Sequence, residues 1–192
     1  MDNQFPIYKI TFDEETEMGV TAISLVDYPA IESDFLHFAK EEPQQMWRFA
    51  NEEKREIVGA VLIPDKLIYR RNGDFEYFVT FPKEVIEDLA WSNFIRGQYE
   101  NFTIQHYHGD NNPYHDLVSG IENLGNWIED EDCNCEEYGF EQGTIPYGSW
   151  MMRLHISNDE VWQRIKDNEL RGFSVELFAS IEPLIMKQQT NN

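Results

Sequence analysis

Hydrophobic and polar residues alternate along much of the chain, which is the pattern of strands that bury one face. The alternation predicts strands at residues 5–12 and 18–26. Residues 57–64 are almost entirely apolar and end at a proline, which is typical of a strand buried on both faces. We therefore expect this run to be a central strand of the fold. Three of its side chains are expected to be buried: Val58, Val61 and Ile63.

Turn signals divide the middle of the chain. The sequence Asn72-Gly73-Asp74 between two alternating runs predicts a hairpin. Pro82 opens a helical pattern that continues to Asn93. Three further strands are predicted, of which the second is interrupted by two glycines: residues 101–106, 117–128 and 148–156.

A charged helical run at residues 159–169 leads through Gly172 into another alternating segment. Because glycine takes positive φ without a Cβ clash, Gly172 is predicted to be the left-handed stop of that helix. In the strand that follows, Ser174 and Glu176 face away from the apolar side chains of Phe173, Val175 and Leu177. A rigidly held serine suits a nucleophile, whereas a lone strand serine is more often only a surface residue.

These elements predict a mostly-β domain of the α+β class, because there are at least seven strands, two helices and no βαβ rhythm. With 192 residues, of which 41% are hydrophobic, the chain can bury a sizeable core. We expect one domain at residues 1–183 and a polar tail at residues 184–192. Within that domain, residues 1–50 would supply the N-terminal strands and a connecting segment.

The composition narrows the choice of partners. The chain has 15 basic and 36 acidic side chains, a net charge of −21, so the backbone of a nucleic acid would be repelled. No apolar run approaches the roughly 18 residues that a membrane span needs. The acidic N-terminus also lacks the basic start of a signal peptide. We therefore expect a cytosolic origin, with neither nucleic acid nor membrane as a partner.

His106 is the candidate general base for Ser174. It ends the segment Phe102-Thr103-Ile104-Gln105-His106, and strand alternation would place it on the side of Phe102 and Ile104. An imidazole can take up a hydroxyl proton near neutral pH, which a serine needs before it can react. Whether the two side chains meet is left open by the sequence.

Metal chemistry is the competing interpretation. Potential ligands cluster in and after the predicted strand: His106, His108, Asp110, His115 and Asp116. No further residue completes a recognisable metal signature, so a solvated polar loop is favoured over a metal site. Cys133 and Cys135 stand one residue apart among acidic residues, where neither a structural disulfide nor a four-ligand zinc site is expected. We expect no metal and no other cofactor.

Six short segments, in this order and spacing, resemble one family: residues 22–31, 58–65, 102–106, 126–128, 148–151 and 172–176. The chain resembles the XkdF-type phage serine proteases, a branch of the prohead proteases whose fold is similar to herpesvirus assemblin. The resemblance implies an assemblin-like β-barrel with peripheral helices. It also implies that Ser174 in Gly172-Phe173-Ser174 is the nucleophile and that His106 is the base.

The third catalytic residue is harder to assign from the resemblance. XkdF-type sequences often have Glu-Ser-Trp where this chain has Gly125-Asn126-Trp127, so that glutamate is missing here. Glu122 on the same segment is the favoured substitute, and Glu129 and His155 are the alternatives.

The resemblance implies a serine endopeptidase that cleaves scaffold and capsid proteins during phage head assembly. It would act in the host bacterial cytoplasm, within the procapsid, and homo-oligomerisation is left open. An alternative is a catalytically inactive structural or scaffold component of the head that keeps the protease-like fold. A third interpretation is a metal-dependent hydrolase that uses His106, His108 and a carboxylate.

Overall fold

The computed structural model describes residues 5–27, 29, 47–106, 116–130, 138, 140 and 145–184. Eleven strands and two helices follow one another in these parts of the chain: β1 (Ile7–Thr11), β2 (Gly19–Val26), β3 (Trp47–Asn51), β4 (Glu56–Leu62), β5 (Ile68–Asn72), β6 (Phe75–Thr80), α1 (Lys83–Ile95), β7 (Phe102–Ile104), β8 (Ile121–Ile128), β9 (Trp150–Ile156), α2 (Asp159–Lys166), β10 (Gly172–Phe178) and β11 (Ser180–Pro183).

The strands form three sheets, with the orders β11-β1-β6-β5, β10-β2-β7 and β3-β4-β9-β8. Pairing is antiparallel except between β1 and β6 and between β2 and β7. The mostly-β, α+β prediction is confirmed. Within the described residues none of the sheets closes on itself, so the predicted assemblin-like barrel is not confirmed.

β4 is the central strand that its apolar run predicts. It lies between β3 and β9, and all seven of its residues are buried. Val58 and Val61 are fully buried and Ile63, just after the strand, is nearly so, as expected. β10 packs against β4, which brings the β10-β2-β7 sheet onto the same core.

The predicted hairpin and the first helix are also confirmed. β5 and β6 pair antiparallel around a turn in which Gly73 has a φ of 61°. The helix α1 begins after Pro82, whose φ of −60° suits a helix start. It packs against β2, β8 and β9.

The end of α2 and the last strand differ from the sequence predictions. α2 ends at Lys166. The residue that takes the left-handed conformation after it is Asn168, with a φ of 60°, and not Gly172 as predicted. Asparagine tolerates this region better than most residues, and it leaves Gly172 free to begin β10. The sequence pattern also missed β11, which pairs with β1.

Neither α1 nor α2, the helices of the described chain, combines the length and the apolar composition that a membrane crossing requires.

Candidate active site

Three hydroxyl side chains stand in a row across the β10-β2-β7 sheet. Ser174 on β10 is directly opposite Ser24 on β2, and Ser24 is directly opposite Thr103 on β7. Residues paired in this way point to the same face of a sheet. All three are buried, and Ser24 has no exposed surface. Because apolar side chains dominate the core of the sheet, three neighbouring buried hydroxyls are a specific feature of this face.

Glu176 closes over this row from the same strand as Ser174. It lies two residues further along β10, so its side chain points to the same face. Its Oε1 accepts hydrogen bonds from Ser24 Oγ at 2.9 Å and from Thr103 Oγ1 at 2.6 Å. The Ser24 and Thr103 hydroxyls also contact each other. The carboxylate is therefore fixed by two buried donors.

His106 reaches the same face through an unusual backbone. β7 ends at Ile104, and Gln105 and His106 both have left-handed φ values, of 61° and 60°. The predicted strand position of His106, on the side of Phe102, is therefore wrong. Instead the His106 backbone N–H donates to Ser24 Oγ at 3.1 Å. Two consecutive non-glycine residues in this region cost free energy, and such strain is concentrated at functional sites.

The His106 ring faces the carboxylate. Its Nδ1 lies 3.7 Å from Glu176 Oε1, and the Glu176 side chain is only 14% exposed. Burial by itself raises the pKa of Glu176. The His106 ring and the hydroxyls of Thr103 and Ser24 lower it by more, so the pKa of Glu176 lies below its usual value. The carboxylate is thus held in its charged form beside the imidazole.

Ser174 and His106 share this face. Ser24 is paired with Ser174 across the strands and accepts a hydrogen bond from the backbone N–H of His106. Among the described residues no hydrogen bond joins Ser174 to His106. Catalytic hydrogen bonds are often long without substrate and shorten when it binds. The geometry therefore provides a serine, an imidazole and a fixed carboxylate in one place.

The predicted third members lie elsewhere. Glu122 Oε2 is 2.9 Å from His155 Nδ1, and its Oε1 accepts a hydrogen bond from Ser157. Both Glu122 and His155 belong to the β3-β4-β9-β8 sheet. Glu129 is buried, and Trp127 Nε1 donates to it at 3.3 Å. The contacts of His106 within the described chain are instead with Ser24 and Glu176.

Glu176 is the residue that the sequence reasoning placed correctly but gave no role. Strand alternation already put it on the face of Ser174, two positions away. A carboxylate at that spacing from a candidate nucleophile is the signal that could have found it. The resemblance instead implied an acid within β8, at the position of Gly125.

The metal interpretation falls largely outside the described residues. His108, Asp110 and His115 lie there, as do Cys133 and Cys135. Within the described chain no three histidine, cysteine or acidic side chains are grouped closely enough to hold a metal ion.

Comparison with known proteins places the chain in a family. Neither the curated proteins nor the solved structures contain a match to it. A family profile matches residues 45–182, well over half of the chain and all of the elements from β3 to β10. The chain belongs to the family described as "Putative phage serine protease XkdF".

Proposed function

We propose that this protein is a serine endopeptidase that cleaves scaffold and capsid proteins while a phage head matures. The observation that carries the proposal is the shared face of Ser174, His106 and Glu176, which supplies a nucleophile, a base and an acid. Membership of a family of phage serine proteases supports the same chemistry.

Each residue has a distinct role in this proposal. In the first step Ser174 Oγ attacks the scissile carbonyl carbon while the His106 imidazole takes its proton, and the imidazolium then protonates the leaving amine. In the second step His106 takes a proton from water, which attacks the acyl carbon, and returns a proton to Ser174 Oγ as the acid product leaves. With Nδ1 turned toward Glu176, Nε2 is the ring nitrogen left to face Ser174. Glu176 orients the ring and stabilises its positive charge, the role that the sequence had assigned to Glu122.

Ser24 and Thr103 are positioning residues in this scheme. Both donate to Glu176, and Ser24 also accepts the His106 backbone N–H. The half-buried Glu176 carboxylate cannot turn away from the imidazole without breaking its hydrogen bonds to two buried hydroxyls, which is costly. The hydroxyl pair thus holds the acid and the base in one arrangement.

The finer parts of the proposal come from the family resemblance. Residues 1–183 form one protease domain with an assemblin-like fold, and the enzyme works inside the procapsid in the host bacterial cytoplasm. Its substrates are the scaffold and capsid proteins around it. Neither step of the chemistry proposed here uses a cofactor.

Co-expression with the scaffold and capsid precursors tests the chemistry. Ser174→Ala should abolish the processing seen on a gel, and a serine-directed phosphonate should do the same to the unmodified protein. Ser157→Ala is the matched control, because Ser157 also lies beside a histidine–glutamate pair, and it should process normally. Full processing by Ser174→Ala would end the proposal.

A chelator separates serine from metal chemistry in the same assay. Processing should be unchanged by chelation. Activity that is lost with chelator and restored by zinc or manganese would transfer the assignment to the His106–His108 cluster.

A structural role without catalysis is the second candidate. The observation that favours it is that no hydrogen bond links Ser174 to His106 among the described residues. Under this alternative the protein enters heads, and Ser174→Ala heads assemble as well as the unmodified ones with the same set of cleaved proteins. A protease predicts heads that stall with uncut scaffold.

A further inference from the structure

The second half of α1 exposes large apolar side chains and buries polar ones. Trp91 is 62% exposed, Phe94 53% and Ile95 58%. On the inner side, Ser92 and Asn93 are buried, and their side-chain polar atoms find no hydrogen-bond partner among the described residues. Exposed aromatic rings and unpaired buried polar groups both cost free energy. Such an inversion is expected where the exposed face serves another molecule.

This exposed face forms one wall of a groove of about 540 Å³. Trp91 and Phe94 line it from α1, with their rings stacked at a centroid distance of 6.4 Å. Asn126, Trp127 and Ile128 of β8 line the opposite side. A groove of this volume can take one or two large side chains of a peptide.

The ionisable groups that line the groove are acidic. Glu87 and Asp88 lie one turn before the aromatic pair and are exposed. The cations of α1 and its C-terminal end are engaged elsewhere. Lys83 Nζ lies 3.5 Å from the centre of the Tyr147 ring, and Arg96 donates to two backbone carbonyls of the β1–β2 connection. The groove therefore combines aromatic walls with negative charge.

We propose that this groove binds a peptide segment of another protein in which lysine or arginine stands beside a bulky apolar side chain. The aromatic walls cover the apolar side chain and the alkyl stem of the cation, and Glu87 and Asp88 pair with its charge. No residue of the groove belongs to the Ser174 site, so this inference is independent of the proposed proteolysis.

A second copy of this chain suits the groove less well. The chain has a net charge of −21. A twofold-symmetric interface would place Glu87 and Asp88 of each copy toward the same acidic face of the other, and like charges repel. A basic partner can pair with Glu87 and Asp88 without that repulsion.

Three labelled synthetic peptides test the chemistry of the groove by fluorescence anisotropy. One alternates lysine and leucine, the second glutamate and leucine, and the third lysine and serine. The full chain carries Ser174→Ala, so that a failure of binding cannot be confused with cleavage. The lysine–leucine peptide should bind at least tenfold more tightly than either of the others.

Variants locate the binding to the groove. Trp91→Ala should weaken binding of the lysine–leucine peptide about tenfold or more, as loss of a central aromatic anchor does. The pair Glu87→Gln and Asp88→Asn should weaken it about threefold to tenfold and reduce its salt dependence. The control pair Glu52→Gln and Glu53→Gln changes the net charge equally at the far end of the sheet that contains β8, and should bind normally.

Three results would overturn the inference. Equal binding of the glutamate–leucine peptide would remove the role of charge. Equal binding of the lysine–serine peptide, or equal loss in the control pair, would show only the general attraction of an acidic protein for cations. Sedimentation as a dimer that Trp91→Ala dissociates would assign the face to a second copy.

Discussion

Within the described residues, two histidine–glutamate pairs lie beside serines, one at each of two sheets. His106 Nδ1, just beyond the end of β7, lies 3.7 Å from Glu176 Oε1 on β10 of the β10-β2-β7 sheet. His155 and Glu122 are 2.9 Å apart on the β3-β4-β9-β8 sheet, and Ser157 hydrogen-bonds to the same glutamate. By distance alone the second pair is the better ion pair.

Their surroundings reverse that ranking. The Glu176 side chain is 14% exposed and receives two buried hydroxyl donors, whereas the Glu122 side chain is 46% exposed. An exposed pair contributes little, because solvent screens it. His106 also has a strained backbone held by Ser24, while His155 sits in a regular strand. The burial and hydrogen bonding around a histidine–glutamate pair thus indicate a candidate site better than the distance between the two side chains does.

The largest expected difference between the two regions is in the histidines. His106→Ala should slow processing of co-expressed precursors at least about a thousandfold, and Ser174→Ala added to it should cost little more, because a nucleophile and its base act as a unit. His155→Ala should stay within about twofold of the unmodified protein. Equal losses in the two variants would mean that the surroundings do not distinguish the pairs.

The glutamates should show the next largest contrast. Glu176→Gln keeps the size of the side chain but removes its charge, so processing should fall on the order of a thousandfold, less than in His106→Ala, because the orienting acid costs less to lose than the base. Glu122→Gln should leave the rate nearly unchanged. The same gel assay measures both, and a larger loss in Glu122→Gln would restore the acid that the sequence favoured.

The serines that support each glutamate should differ in stability. Ser24→Ala leaves Glu176 and the His106 N–H each without one partner, so the free energy of unfolding should fall by about 1–3 kcal/mol. Ser157→Ala, at an exposed hydrogen bond, should change it by less than about 0.5 kcal/mol. Urea unfolding followed by tryptophan fluorescence measures both, and equal values would contradict the importance of burial.

The smallest expected effect is the contribution of Glu176 to the pH dependence of the free energy of unfolding. Because its pKa is lowered on folding, its charged form stabilises the protein above the ordinary glutamate pKa of about 4.3, and this contribution is lost as the pH falls through the folded value. The stability advantage of the unmodified protein over Glu176→Gln should therefore shrink between pH 7 and pH values below about 4. Thr103→Val removes one hydroxyl that lowers this pKa. The pH dependence of its stability should therefore lie between those of the unmodified protein and Glu176→Gln. A constant difference would show that the carboxylate gains nothing from its neighbours.

Local patterns were sufficient to predict most of the fold. The apolar run of β4 and the Asn72-Gly73-Asp74 turn are each determined by neighbouring residues, and both were predicted from them. The prediction for Ser174 and His106 as the reacting pair stays a prediction, although both lie on one face as it requires.

The parts that could not be predicted depend on distant contacts. The left-handed turn at Gln105 and His106 is stabilised by the hydrogen bond from the His106 N–H to Ser24, which is 82 residues away in sequence. The residues next to the turn do not predict it. The partner of His106 was missed for the same reason, since Glu176 reaches it only across paired strands. β11 exists because β1 offers it an edge.

The order of the strands in the β10-β2-β7 sheet also determines when the candidate site can assemble during synthesis. Ser24 and Glu176 are 152 residues apart in sequence, yet they hydrogen-bond across neighbouring strands. At about 5–20 residues per second, a ribosome needs on the order of ten seconds to make the intervening chain. Until β10 emerges and pairs with β2, neither Ser174 nor Glu176 lies beside Ser24. A nascent or truncated chain that lacks β10 thus has no assembled candidate site.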